Sequence, residues 1–242
     1  MILLIDAGNT RIKWRLVAPN GEAGWIAEGV LVHEEIASLR RVFRTHPGIE
    51  RVFGCNVAGP QVAGHVANLA AAAGLSPQWL QPGEQCCDVR NLYDNPAQLG
   101  ADRWAALIGA RTVHAGAALV VTAGTATTVD LLSAAGEFRG GLILPGVDLM
   151  LRALASRTAQ LPLASGRFSP TPRNTADAIH SGCLQAQAGA VERMFRQIAG
   201  EPDAICLLGG GAADSFADLL ELPLRRIDNL VLVGLATVAR AA

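Results

Sequence analysis

A turn near the start of the chain contains the residue types that bind phosphate groups. The apolar run that ends at Ile5 is followed by Asp6 and Gly8, and Lys13 lies a few residues further on. Glycine leaves room for a phosphate to approach the backbone, and lysine supplies a compact positive charge. Lys13 is also the only lysine among twenty lysines and arginines. Its position beside this turn predicts a contact with the phosphates of a nucleotide.

The carboxylate of Asp6 needs a cation before it can lie close to a phosphate chain. We therefore expect Asp6 to hold Mg²⁺ through water, while Gly8, Asn9 and Thr10 line the phosphates. A plainer interpretation stays open at this stage. Many glycine turns only connect strands, and an isolated lysine is commonly a solvated residue of an edge strand.

A second glycine turn follows an apolar strand in the middle of the chain. Gly124 and Thr125 offer backbone N–H groups and a hydroxyl, and we expect both to bind phosphate. Thr127 and Thr128 are weaker candidates, because threonine is common in strands and successive strand residues point to opposite faces. Two further glycine segments that could admit adenine or ribose are 140–146 and 209–211.

An acidic and a basic residue lie side by side at the start of a predicted helix. Asp102 and Arg103 follow Gly100, and successive helix residues project about 100° apart, so the two side chains serve different tasks. We expect Asp102 to accept a hydroxyl proton and Arg103 to bind an anionic substrate group. Tyr93, the only tyrosine, would bound the pocket. The alternative is a carboxylate favoured by the helix dipole beside a surface arginine.

The hydrophobic pattern predicts the strands and helices that position these residues. In the first part of the chain, strands are predicted at 2–5, 12–17, 25–32 and 51–55, helices at 34–45, 62–73 and 97–112, and a loop at 81–96. In the second part, strands are predicted at 118–122, 127–132, 137–144 and 204–208, and helices at 146–156, 174–199, 212–220 and 229–240.

The order of predicted elements repeats along the chain. Residues 5–9 align with residues 121–125, and each segment is the end of a strand followed by a glycine turn. Two β-β-β-α-β-α halves with a cleft between them would bring both glycine turns to one ligand. We therefore expect an α/β protein with halves at 1–113 and 114–242. The first half would hold the first phosphate turn, and the second half the second phosphate turn and the adenosine-binding turns.

The bulk composition excludes several classes of function. The chain has 242 residues, half of them hydrophobic, which is enough for a sizeable core. A net charge of −1 and a pI near 6.5 give no basic surface for nucleic acid or an anionic membrane. The five cysteines include a vicinal pair and lack a C-x-x-C spacing, so neither disulfides nor a zinc site is predicted. We expect a small-molecule partner.

The apolar segments are too short for targeting or membrane insertion. Only four apolar residues separate Met1 from Asp6, which is less than a signal peptide needs. The other apolar runs fall well below the ~20 residues of a membrane span. These observations predict a cytoplasmic protein.

The ordered set of motifs resembles that of the type III pantothenate kinases, also called the Bvg accessory factor family, within the superfamily of acetate and sugar kinases and actin. The similarity covers essentially the whole chain. The motifs are Asp6-x-Gly8-Asn9-Thr10-x-x-Lys13, Gly100-x-Asp102-Arg103, Gly124-Thr125-Ala126-Thr127-Thr128, Gly140-Gly141-x-x-x-Pro145-Gly146 and Asn174-Thr175-x-x-Ala178-Ile179. The first motif is widespread, whereas the ordered set is specific.

The resemblance implies a duplicated ribonuclease H-like (actin-like ATPase) fold, a homodimer, and ATP-dependent phosphorylation of pantothenate to 4′-phosphopantothenate, the first step of coenzyme A biosynthesis. It implies that Asp102 is the general base. The residues that it implies for pantothenate are Tyr93, Gly100, Ala101, Asp102, Arg103 and, across the dimer, Thr175. The residues that it implies for ATP, bound with Mg²⁺, are Asp6, Ala7, Gly8, Asn9, Thr10, Arg11, Ile12, Lys13, Gly124 and Thr125.

One position departs from the family pattern. Many members have aspartate where this chain has Thr122, and that aspartate is associated with an activating K⁺ or NH₄⁺ ion. The uncharged Thr122 predicts a weaker or differently built cation site, and hence a reduced dependence on K⁺.

Two alternatives to this activity stay open. A kinase for another small hydroxylated anion would use the same ATP turns without needing both Tyr93 and the segment 100–103. A nucleotide-binding regulator without turnover, suggested by the accessory-factor name, would have no use for Asp102 as a base.

Overall fold

A computed structural model describes residues 1–19, 24–157 and 166–241 of the chain. The chain divides into two compact units. One is Met1–His114 together with the C-terminal segment from Asn229, and the other is Ala115–Asp228. The C-terminal helix thus groups with the first unit, whereas the sequence analysis assigned it to the second half. No helix among the described residues combines the length and the hydropathy that a membrane span requires.

The described strands and α-helices follow one another along the chain with these bounds. The strands are β1 (Ile2–Ala7), β2 (Arg11–Val17), β3 (Trp25–Val32), β4 (Arg51–Asn56), β5 (Pro77–Trp79), β6 (Gln85–Cys86), β7 (Val89–Asn91), β8 (Ala118–Ala123), β9 (Ala126–Leu132), β10 (Glu137–Pro145), β11 (Ile205–Gly209) and β12 (Leu224–Arg226). The α-helices are α1 (Leu39–Thr45), α2 (Pro60–Ala71), α3 (Ala101–Val113), α4 (Val147–Arg157), α5 (Thr175–Phe195) and α6 (Leu230–Ala241).

The first unit is built on a sheet in the order β3-β2-β1-β4-β5. The central strand β1 pairs antiparallel with β2 and parallel with β4. All six residues of β1 are buried, as expected for a continuous apolar run with a neighbour on each side. Strand β3 lies at the edge and alternates between more and less exposed residues. The sheet therefore fixes the end of β1, where the first phosphate turn begins.

Small residues let helices α3 and α6 of the first unit pack closely. A Cβ atom added to Gly109 would collide with the carbonyl oxygen of Leu230, and one added to Gly234 would collide with that of Ala105. The middle of α3 is buried on all sides, from Arg103 to Ala110. This tight contact fixes the helix whose first turn holds Asp102.

The second unit repeats the topology of the first. Its strands lie in the order β10-β9-β8-β11-β12, with β8 antiparallel to β9 and parallel to β11. A buried apolar cluster joins this sheet to α4 and α5, including Val121, Leu131, Leu184 and Val191. The predicted duplicated α/β fold is confirmed by this repeat.

Several details of the secondary structure differ from the sequence prediction. The predicted helix 34–45 is a 3-10 helix over His33–Ser38 and an α-helix only over Leu39–Thr45, and the predicted helix 97–112 begins at Ala101. Each unit ends its sheet with a short strand, β5 or β12, that was not predicted, because three residues are too few for a periodic signal. The predicted loop 81–96 contains the hairpin β6–β7. The predicted helix 212–220 is wrong: the segment forms two one-turn 3-10 helices, which bury Ala213 and Phe216 at a spacing of three residues.

Candidate active site

The sheet of the first unit places three reactive side chains in one row. Asp6 on β1 is paired with Lys13 on β2 and with Cys55 on β4. Residues that are directly paired across strands project from the same face of a sheet. The ammonium group of Lys13 and the thiol of Cys55 therefore flank the carboxylate of Asp6.

Asp6 is a buried carboxylate in a mixed electrostatic environment. Burial raises the pKa of Asp6 to about 6, the charge of Lys13 opposes this shift, and the nearby Asp102 carboxylate adds to it. The thiol of Cys55 donates to Asp6 Oδ1 over 3.5 Å. Burial raises the pKa of Cys55 well above its ordinary value, so this group stays a thiol and a donor. A cation bound next to this carboxylate would stabilise its charged form.

The turn after β1 is held by two backbone contacts of one residue. The amide of Gly8 donates to the carbonyl oxygen of Arg11 over 3.1 Å, and the carbonyl oxygen of Gly8 lies 2.9 Å from Nε2 of His33. Asn9 and Thr10 are exposed at the tip. His33 was not identified from the sequence, because a histidine at the end of a strand has no distinguishing pattern.

The predicted ATP-binding stretch 6–13 contains residues with different environments. The side chains of Ala7 and Ile12 are paired across the strands and fully buried in the core, so only their backbones are available to a ligand. Arg11 is exposed and Lys13 is half-buried.

The first turn of α3 fixes the carboxylate of Asp102. Gly100 is the extended residue before the helix, and Oδ1 of Asp102 accepts a hydrogen bond from the amide of Arg103 over 2.8 Å. A Cβ atom added to Gly100 would lie 2.7 Å from this oxygen. A side chain at position 100 would therefore displace the carboxylate of Asp102 from this arrangement. The other oxygen of Asp102 has no hydrogen-bond partner among the described residues.

The side chains of Arg103 and Tyr93 contact each other, and Arg103 is the residue that follows Asp102. Nη1 of Arg103 donates to the hydroxyl oxygen of Tyr93 over 3.0 Å, and the guanidinium lies 5.7 Å from the centre of the ring. Arg103 is buried. The first unit thus joins these two predicted substrate residues, and it brings Asp102 within electrostatic reach of Asp6.

A buried asparagine organises the loop that presents Tyr93. Nδ2 of Asn91 donates to the carbonyl oxygens of Gly83 and Pro96, over 3.3 and 3.1 Å, and Oδ1 accepts from the amide of Tyr93 over 3.1 Å. Asn91 was not among the residues predicted from the sequence. The signal was the asparagine two residues before Tyr93, since asparagine commonly binds the amide of the second residue after it.

Three glycine turns pack against one another in the second unit. The amide of Gly146 donates to the carbonyl oxygen of Thr125 over 2.9 Å, and a Cβ atom on Gly146 would collide with the carbonyl oxygen of Gly124. A Cβ atom on Gly210 would collide with the backbone of Ala123. The turns at 123–125, 145–146 and 209–211 therefore form one backbone-built cluster.

The neighbouring candidates of this unit have structural explanations. Thr127 is buried and Thr128 half-buried, on opposite faces of β9 as expected. Gly140 has a φ of 118° at a bulge, and Gly141 packs directly on the buried Asp130. These glycines are accounted for without a ligand.

The remaining predicted residues lie on separate elements of the second unit. Thr175 is the exposed first residue of α5, after Asn174, whose Oδ1 accepts from the amide of Asp177 over 2.9 Å. Thr122 is half-buried on β8. Across the described ranges, no three acidic, histidine or cysteine side chains come together as a metal site. A Mg²⁺ ion fits Asp6 because such ions are often bound by one carboxylate, water and substrate phosphates.

Known proteins resemble this chain in sequence along its full length. A family model described as type III pantothenate kinase matches residues 2–197. The type III pantothenate kinase of Aromatoleum aromaticum is 63% identical over 240 residues, which cover 99% of this chain and 98% of that protein. The one of Dechloromonas aromatica is 45% identical over 239 residues, covering 99% of each.

Solved structures resemble it in fold. A candidate Baf family transcriptional activator from Campylobacter jejuni aligns with a TM-score of 0.63 and 20% identity, over 99% of this chain and 98% of its own. A candidate 2-dehydro-3-deoxygalactonokinase from Sinorhizobium meliloti aligns with a TM-score of 0.66 and 16% identity, over 100% and 99%. At these identities the likeness shows the fold alone, and it agrees with the duplicated actin-like fold.

Proposed function

The chain belongs to the type III pantothenate kinase family, and we propose that it transfers the γ-phosphoryl group of ATP to the terminal hydroxyl of pantothenate. The product is 4′-phosphopantothenate, the first intermediate of coenzyme A biosynthesis, made in the cytoplasm. The observation that supports this most is the grouping of Asp6, Lys13 and Asp102 in one unit, with Asp102 and Lys13 both acting on the pKa of Asp6.

Asp102 is the general base in this proposal. Its Oδ1 is held by the amide of Arg103, and its other oxygen is available to a substrate hydroxyl. The proton moves to this oxygen as the hydroxyl oxygen bonds to the γ-phosphorus, and the bond from that phosphorus to the β,γ-bridging oxygen breaks to release ADP. Arg103 and Tyr93 bind the anionic substrate with residues 100–101, and Thr175 contacts it across a dimer.

The nucleotide is bound by backbone and charge. We assign residues 6–13, Gly124 and Thr125 to its phosphates, with Lys13 as the cation that balances their charge. Mg²⁺ neutralises phosphate charge when bound, and Asp6 would hold it through water. Kinases of this kind depend mainly on positioning and charge stabilisation, which fits the small number of reactive side chains.

A coupled ADP-release assay tests the activity. With pantothenate and Mg-ATP, the wild-type protein should turn over, and Asp102→Asn should lower kcat by roughly 10²–10⁴-fold because the general base is lost. Asp203→Asn is the matched control, since Asp203 is an exposed residue of the loop before β11. Full activity of Asp102→Asn would exclude Asp102 as the base. A wild-type protein without turnover would favour the regulator.

An exposed apolar surface of the second unit supports a homodimer. Ile143 on β10 is 65% exposed, and Leu149 and Leu154 on the next element, helix α4, are also exposed. Large apolar side chains that stay exposed on neighbouring elements commonly mark a protein interface. Light scattering should show a dimer, and Ile143→Asp should shift it to a monomer. His65→Asp, which places the same carboxylate at an exposed residue of α2, should leave the mass unchanged.

We also propose a reduced dependence on K⁺ or NH₄⁺. Thr122 has no charge to balance a monovalent cation, so only weaker oxygen ligands are available at this position. Activity should persist in buffers without either ion. Negligible activity without K⁺ that rises steeply when K⁺ is added would contradict this proposal.

A further inference from the structure

We propose that His33 is a positioning residue for nucleotide binding, which acts by fixing the peptide that follows Gly8; this inference rests on the proposed function of the turn. His33 comes directly after β3, and its Nε2 atom lies 2.9 Å from the carbonyl oxygen of Gly8. The two residues are 25 positions apart in the sequence. The contact therefore ties the end of one strand to the turn between two others.

The contact requires a hydrogen on the Nε2 atom of His33. A carbonyl oxygen only accepts hydrogen bonds, so Nε2 must carry a hydrogen. The neutral ring with its proton on Nε2 and the doubly protonated ring both satisfy this requirement. His33 is thus a donor to Gly8 in either state.

Fixing this carbonyl also fixes the amide of Asn9. A trans peptide is planar, and its C=O and N–H groups point in opposite directions. The Asn9 amide therefore points away from His33, and it has no hydrogen-bond partner among the described residues. A free backbone amide at the tip of a glycine turn is the donor that a phosphate oxygen needs.

Gly8 makes such an anchor necessary. Glycine occupies more backbone conformations than any other residue, so the peptide after it can reorient easily. The amide of Gly8 is already bound to Arg11 inside the turn, and His33 fixes the carbonyl. Together the two contacts hold the turn in the arrangement that presents the Asn9 amide, so the ligand does not have to order it.

Substitutions of His33 test this role. His33→Phe keeps a ring of similar size but removes the donor, and we expect the KM for ATP to rise by about 5- to 10-fold, the effect of one lost hydrogen bond. The KM for pantothenate and the Tm should change little. His33→Gln retains a donor and should recover part of the affinity. His65→Gln changes an exposed histidine of α2 and should behave as wild type.

Nucleotide binding without turnover separates this inference from the proposed function. Isothermal titration with Mg-ADP should show weaker binding to His33→Phe than to wild type, whether or not pantothenate is phosphorylated. Equal Mg-ADP affinities would overturn the role of His33 while leaving the kinase activity intact. A parallel rise of both KM values with a large fall in Tm would also overturn it, because that pattern indicates a structural residue only.

Discussion

The two sheets of this protein share a topology but differ at the end of the central strand. In the first sheet, Asp6 is flanked by the charged Lys13 and by the thiol of Cys55. The corresponding residue of the second sheet is Thr122, which is paired with Thr128 and Gly209. The first row holds a carboxylate, a cation and a thiol, whereas the second is uncharged.

In the function that we propose, the two units bind phosphate in different ways. The first unit uses side-chain charge, and burial raises the pKa of its carboxylate. The second unit uses backbone: its glycine turns approach so closely that Gly146 and Gly210 leave no room for a Cβ atom. A duplicated fold therefore need not duplicate chemistry.

The largest expected effect in this comparison comes from substituting Asp6, and the corresponding substitution of Thr122 is its reference. Asp6→Asn removes the carboxylate that we assign to Mg²⁺ and should lower kcat/KM by roughly 10²–10³-fold, a typical loss for one electrostatic group of an active site. Thr122→Val removes only a hydroxyl, and we expect a much smaller loss. The coupled assay measures both, with thermal unfolding to verify the fold. Similar losses in the two variants would contradict the proposal that the first unit binds phosphate through side-chain charge and the second through backbone.

The next effect tests the geometry of the charge at Lys13. Lys13→Arg keeps the charge but replaces a compact ammonium by a broad planar group, and we expect kcat/KM to fall by about 10-fold. Lys13→Ala removes the charge and should cost about 100-fold. Unimpaired Lys13→Arg would mean that any cation suffices there. The singular lysine would then have no functional explanation.

The third effect concerns the backbone cluster of the second unit. Gly210 has a φ of 96° and abuts Ala123, so Gly210→Ala should destabilise the protein by about 1–3 kcal/mol and weaken nucleotide binding. Gly211→Ala is a matched control, because a Cβ atom at Gly211 meets nothing within 4 Å. Chemical denaturation measures the free energy of unfolding. Equal stabilities would show that the cluster tolerates a side chain.

Much of the fold could be predicted from the sequence because long elements have strong periodic signals. The three antiparallel strands of each sheet were predicted to within two residues of their bounds, whereas the helix predicted at 97–112 begins at Ala101. The helix prediction for 212–220 was wrong, because the spacing of Ala213 and Phe216 fits both an α-helix and successive 3-10 turns. The short fifth strands depend on parallel pairing with distant residues, which a local pattern does not contain.

The residues of the candidate site also divide into those that a sequence motif reveals and those that it does not. Glycine turns and an adjacent acid and base are visible as motifs, so residues such as Gly100 and Asp102 could be singled out. His33 acts through one hydrogen bond to a backbone carbonyl that is distant in sequence, and Asn91 through three hydrogen bonds to the backbone of its own loop. Only the folded chain shows which carbonyl or amide they reach. Their residue types alone have many other uses.

The fourth effect concerns a segment that only the first unit has. Between β5 and α3 the chain inserts the loop that presents Tyr93, whereas β12 leads directly into α6. Asn91→Ala removes the hydrogen bonds that hold this loop, and we expect the KM for pantothenate to rise about 10-fold with little change for ATP. Asn95→Ala removes an exposed hydrogen bond of the same loop and is the control. Equal effects on both substrates would make Asn91 a residue of general stability.

The smallest expected effect comes from a substitution that makes the row around Thr122 more like the row around Asp6. Thr122→Asp introduces into the second sheet the residue type that Asp6 provides in the first, at a half-buried position next to Gly209. A new carboxylate there attracts a cation and repels phosphate unless that cation is bound. We expect activity to fall without K⁺ and to rise a few-fold, on the order of 2–5, when K⁺ is added, since a partly exposed charge contributes about 1 kcal/mol. Titration of K⁺ against Na⁺ measures this response, with Thr122→Asn as the uncharged control of the same shape. If both variants respond alike to K⁺, the charge at position 122 does not determine the cation dependence, and backbone oxygens near the turn must do so instead.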